Sequence, residues 1–143
     1  MDFIAYLKTL QPDDWNRMAT PKWTVKDVVA HMVGWERGDI EEIERIWKTK
    51  APPWWKANPD YDSFNRKWVE FYKDYTPAEL ITEWELWQKK MEEEVDKIGY
   101  DNLKAHPELF GWLIEDGDQY TLSQGGSHYR HHYEQVKKVV NKR

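Results

Sequence analysis

Residues 125–136 read GGSHYRHHYEQV and hold three of the chain's five histidines. His128 and His132 are four residues apart, so a helix places both on one face with β-carbons about 5–6 Å apart. Two imidazoles at that spacing can share one metal ion at about 2.0–2.1 Å from each nitrogen. Two ligands make a weak site, and the remaining candidate for a third is His31, which shares a helical face with Val28 and Trp35. Three neutral imidazoles and a water form the open arrangement of catalytic zinc, and nickel or iron also tolerate this donor set. Water on such an ion has a pKa near 7 and supplies a hydroxide at neutral pH. Each histidine also has an ordinary reading. His31 alone fits a satisfied core residue, and the pair alone fits a solvated helix face. His131 projects about 100° from His132 and reads as surface or as support for the site, and His106, before a proline, carries no assignment.

The elements that must bring these residues together all read as helices. A short first helix spans residues 2–10, with apolar Phe3, Ile4, Tyr6, Leu7 and Leu10. A connector follows over residues 11–21. Thr24 and Asp27 form a start signal for a helix of about six turns carrying His31. It ends before the prolines of APPWW at residues 51–55. Asn58, Pro59 and Asp60 mark a second start, with Asn58 as cap. Thr76, Pro77 and Glu79 mark the strongest start, leading into a stripe of Leu80, Trp84, Trp87, Met91, Val95 and Ile98 that stops at Gly99. Residues 100–124 read as loops with one helical turn, Trp112 folding back over the bundle. The last helix starts near Gly126 and runs to about Val140. No segment alternates with period two for long enough to make a sheet, so the expected fold is an all-α bundle of four main helices, a single domain over 1–143.

The 143-residue chain contains no cysteine, which excludes disulfides, thiolate ligands and a cysteine nucleophile. Its net charge of −5 argues against a nucleic-acid partner, which wants a basic face. No 18-residue apolar run is present, and the start lacks the zones of a signal peptide, so a cytoplasmic protein is expected. Ten tryptophans are more than a core of this size requires, because indole N–H groups want partners. They suit a large-aromatic core, a cleft, or the face of a homodimer.

The stretches WTVKDVVAHMVGWE (residues 23–36) and SHYRHHYEQV (residues 127–136) resemble the DinB/YfiT-like superfamily. The resemblance covers essentially the whole chain in order and length. It implies an up-down-down-up four-helix bundle and a divalent-metal site, usually zinc or nickel, formed by His31, His128 and His132. The middle, YDSFNRKWVEFYKDYTPAEL (residues 61–80), is similar to the ClbS/DfsB branch, some of whose members lack the histidine triad. The first helix is shorter than usual for the superfamily. Activities there include thiol-dependent isomerases and S-transferases and a hydrolase that opens a reactive cyclopropane. Fold alone does not choose among them.

Two functions of different class follow. In the first, a metal-dependent enzyme acts on a small electrophile, activating water or a borrowed low-molecular-weight thiol such as bacillithiol or mycothiol. Glu36 and Gln135 are candidates to hold the ligand imidazoles, and Trp35, Trp54, Trp55 and Trp112 are candidates for the substrate wall. In the second, the aromatic cleft sequesters a small molecule without catalysis. An open coordination position favours the first, and a closed or empty site the second.

Overall fold

A computed structural model of the protein describes residues 1–115, 119–120 and 127–142. After the short helix α1 (Phe3–Leu7) comes a 3-10 turn (Pro12–Asn16) that buries Trp15 in the stretch expected to be a plain connector. Helix α2 (Val25–Thr49) starts on the expected box: Thr24 accepts from the Asp27 amide and Asp27 accepts from that of Thr24. Such a cap contributes about 1 kcal/mol. The helix ends at Lys50 in a left-handed conformation, φ 57°.

The prolines do stop α2, but Trp54 and Trp55 then begin a single-turn helix, α3 (Trp54–Ala57), rather than a loop. Glu42 holds this turn in place, accepting from the Trp54 amide at 2.6 Å and from Arg45 at 2.6 and 2.9 Å. Arg45 in turn donates to the Pro52 carbonyl at 2.7 Å. Helix α4 (Tyr61–Phe71) starts later than the Asn58 signal predicts. Its cap is Asp60, which accepts from the Ser63 amide, because the carboxylate fills the role assigned to Asn58. Helix α5 (Pro77–Ile98) begins on the Thr76–Glu79 box and stops at Gly99, whose φ of 92° suits glycine. Residues 100–113 are more helical than expected, forming α6 (Tyr100–Ala105) and α7 (Pro107–Phe110). Next, Ile114 and Glu115 pair antiparallel with Tyr120 and Gln119. The final helix, α8, is Ser127–Val140; its expected start near Gly126 lies outside the described residues.

The all-α, DinB-like bundle is therefore the fold. Helices α2 and α5 run parallel, with Glu36 meeting Trp84 and Arg37 lying over Trp87, while Glu44 meets Glu94 a few turns on. Helix α8 runs back against them, bringing Tyr129 to Glu36 and His132 to His31. Helix α4 lies in the crossover between the parallel pair and packs on α2 at Gly34 and Gly38. A Cβ on Gly34 would enter the Trp68 ring, and one on Gly38 would stand 2.8 Å from Phe64 Cζ. The core is built on Phe3, Val28, Ile43, Ile46, Leu80, Trp84, Met91, Phe110, Tyr129 and Val136. Burying a large apolar side chain of this kind contributes about 1.5–3 kcal/mol. Among the described residues, no helix is long and apolar enough to cross a membrane.

Candidate metal centre and aromatic cleft

Helix α2 presents His31 inward, 4% exposed, and α8 presents His128 and His132 toward it. One nitrogen from each of the three lies within 4.8 Å of the others. The Nε2 atoms of His31 and His128 are 3.3 Å apart. Two nitrogens bound to one tetrahedral zinc at the usual bond length stand about 3.3 Å apart, so this pair already has ligand spacing. His132 is aimed by Gln135, one helical turn further along α8. Gln135 Oε1 lies 2.7 Å from His132 Nδ1, which fixes Nδ1 as the protonated nitrogen and leaves Nε2 with its lone pair.

The three rings are uncharged at neutral pH. Burial lowers the His31 pKa to about 2, helped by His128 and then His132, and opposed by Asn65 of α4. The His31 Nδ1 atom is buried with no hydrogen-bond partner among the described residues. Burial also brings His128 down to about 4, with smaller contributions from His132 and His131, and lowers His132. A buried cluster of neutral imidazoles repels a proton and offers lone pairs, as a divalent cation requires.

The triad opens on a cleft of about 560 Å³, an ordinary size for a small-molecule site. Its walls include Trp35, Trp55 and Trp112, three of the four indoles named from the sequence, together with Trp23 and Tyr61. Trp55 stands at 89° to Trp112 with centroids 5.0 Å apart, and at 62° to Trp35 at 6.0 Å. Trp54 lines no part of this cleft; it stacks on Trp35 at 6.3 Å and buttresses the wall from behind. Two wall indoles are held by their N–H groups: Trp35 donates to Asn65 Oδ1 at 2.5 Å, and Trp112 to the Leu109 carbonyl at 2.7 Å. His131 is exposed on the cleft rim beside His132. His106 lies away from the triad, against Trp47 and Glu108.

Glu36 faces Trp84 and Tyr129 rather than an imidazole. Trp84 Nε1 donates to its carboxylate at 3.0 Å, and the Tyr129 hydroxyl makes a short hydrogen bond to the same oxygen. Burial, only partly offset by the hydrogen bonds from Trp84 and Gln88, raises its pKa to about 8.

Sequence reasoning missed Asn65, Trp23, Tyr61 and above all Asp39. Asp39 lines the cleft and is 3% exposed. Burial, followed by the charges of Glu36 and Glu42, raises its pKa well above the ordinary carboxylate value. One signal was available: His31, Trp35 and Asp39 recur every four residues and so share one face of α2.

A family model described as the mycothiol maleylpyruvate isomerase N-terminal domain matches residues 2–101. The chain belongs to this family. The family is one of the DinB-like helical superfamily, in agreement with the bundle described above. The matched span includes His31, Asp39 and most of the aromatic wall, and ends before His128 and His132. No curated protein and no solved structure matches the chain.

Proposed function

We propose that the protein is a metal-dependent enzyme acting on a small electrophilic compound, by hydrolysis or by transfer of an external thiol. The observation that carries this reading is the convergence of three neutral imidazoles, two buried and one half-buried, on an aromatic cleft. His31, His128 and His132 would hold a divalent ion, zinc or nickel before iron, with Gln135 fixing the His132 tautomer. When bound, such an ion lowers the pKa of a coordinated water or thiol to near neutrality. The protein's own residues orient the electrophile: indole faces of Trp35, Trp55 and Trp112 enclose its apolar part and exclude bulk water. Members of the family are often metal-binding enzymes associated with mycothiol. The chain has no cysteine, so any thiol nucleophile must come from solution, and a soluble thiol of that class is the co-substrate to screen first. Within the superfamily, residues 61–80 support placement near the ClbS/DfsB branch, where hydrolysis is the chemistry to test.

Elemental analysis of tag-free protein purified without added metal or chelator tests the reading. About one equivalent of zinc, nickel or iron per chain is expected. Metal-free protein whose melting temperature is unmoved by any of the three would overturn it and leave a sequestering cleft as the function.

A further inference from the structure

The cleft contains one group that the metal reading leaves unused. One carboxyl group, Asp39, lies within a wall of indole rings set at 62° and 89° to one another, with the Tyr61 phenol beside them. Among the described residues no Lys or Arg lines the cleft, and residues 116–126 contain neither type. Asp39 has no ion-pair partner among the described residues, whereas the other two buried acids of the same helix are engaged, Glu36 by Trp84 and Tyr129 and Glu42 by Arg45 and the Trp54 amide. A buried carboxyl without a counter-charge costs free energy, which a positively charged occupant would offset. The faces of tryptophan rings attract cations and hold them most strongly where water is excluded. Around Asp39 an anionic occupant would find no Lys or Arg among the described residues, and any ion held by the imidazoles would lie at the other end of the cleft.

We propose that the cleft takes a small organic cation, an ammonium group seated between the Trp35, Trp55 and Trp112 faces and against the Asp39 carboxyl. This deepens the proposed function by naming the substrate class, and it rests on reading the cleft as the place where the substrate sits. Burial keeps the empty carboxyl uncharged, and an arriving ammonium supplies the charge that lets it ionise.

The test compares choline with its uncharged isostere, the dimethylbutanol in which carbon replaces nitrogen, and with maleate, each titrated against tryptophan fluorescence. Choline is expected to bind at least tenfold more tightly than the isostere, with maleate weakest, and Asp39→Asn should bring the choline-to-isostere ratio toward one. Equal binding of the two isosteres, tighter binding of maleate, or an Asp39→Asn ratio unchanged from the parent each overturns the proposal. If Asp39→Asn fails to fold, Trp55→Leu in the single-turn helix α3 takes its place and should lower the ratio at least threefold. Metal content is read on the same preparation. Metal-free protein with the ratio intact counts against the metal-dependent enzyme and for the cation site, and metal-loaded protein with a ratio of one does the reverse.

Discussion

His132 is the residue on which the metal reading turns, because among the described residues it alone of the three has its tautomer fixed by a neighbour, Gln135. Replacing it with alanine should abolish metal retention in elemental analysis while leaving far-UV helicity within a few per cent of the parent. Gln135→Leu should retain the three imidazoles yet weaken metal affinity about 10–100-fold, as the loss of a supporting hydrogen bond does elsewhere. Glu36 offers a separate test of the buried interior. An ordinary glutamate releases its proton near 4.5, whereas Glu36 keeps its proton to about 8. Between those values the native protein binds the proton and the unfolded chain does not, so stability is full below the lower value and declines as pH rises through the upper. For one proton the slope is at most about 1.4 kcal/mol per pH unit. Glu36→Gln should therefore lose less melting temperature than the parent between pH 5 and 8, with Asp39 maintaining part of the decline. An unchanged slope in thermal denaturation would show that Glu36 is ionised across that range. At this scale the sequence was informative only where spacing within one helix carries the meaning. His128 and His132 were legible as a pair; the spacing of Asp39 from His31 and Trp35 was legible too, but its carboxyl gains significance when rings from α3 and α4 and the segment after α7 join it in one cleft.

Among the elements, α2 does the most to position the site. It carries His31 and Trp35 in the cleft, Glu42 against the first turn of α3, and the two glycines that admit α4. Gly34→Ala should be the more damaging of the two glycine changes. It drives a Cβ into the Trp68 ring near its attachment to the backbone, whereas Gly38→Ala meets only the far edge of Phe64. A cost of about 1–3 kcal/mol is expected at Gly34 and less at Gly38, measured by urea denaturation. Such a push would also displace Asn65 and with it the Trp35 indole. The boundaries of α2 and α5 were legible because their caps are local: both boxes form within four residues. The α4 start was misread because Asn58 and Asp60 are both competent caps, and the choice between them depends on packing. The helices α6 and α7 were underestimated because each is short and depends on burial of Leu103, Leu109 and Phe110 rather than on a long periodic stripe.

Taken whole, the molecule is a bundle whose interior mixes aliphatic side chains with large aromatics and buries the acids Glu36, Asp39 and Glu42 along α2. The fold was legible from periodicity and caps, and the family match over residues 2–101 agrees with it. The cleft was legible as a surplus of tryptophan and four candidate indoles, but Trp23 was missed and Trp54 lies outside the lining, since which indoles face a ligand depends on how helices distant in sequence meet. Trp84 is fully buried and Trp112 is not, although both sit near other aromatics in sequence. Zinc added to metal-free protein should raise the melting temperature of the parent by several degrees and leave that of His132→Ala unmoved, the linkage expected when an ion binds only the folded bundle.

The four-residue recurrence of His31, Trp35 and Asp39 along α2 also sets a length. Eight residues of helix advance about 12 Å, so the imidazole end and the carboxyl end of the cleft are separated by roughly that distance along the axis. A compound that engages both ends must itself be extended, its charged head and its reacting carbon held apart by a spacer. In a homologous series of such compounds, turnover would then peak at one spacer length. Shorter members would occupy the carboxyl end without reaching the imidazoles and would act as competitive inhibitors.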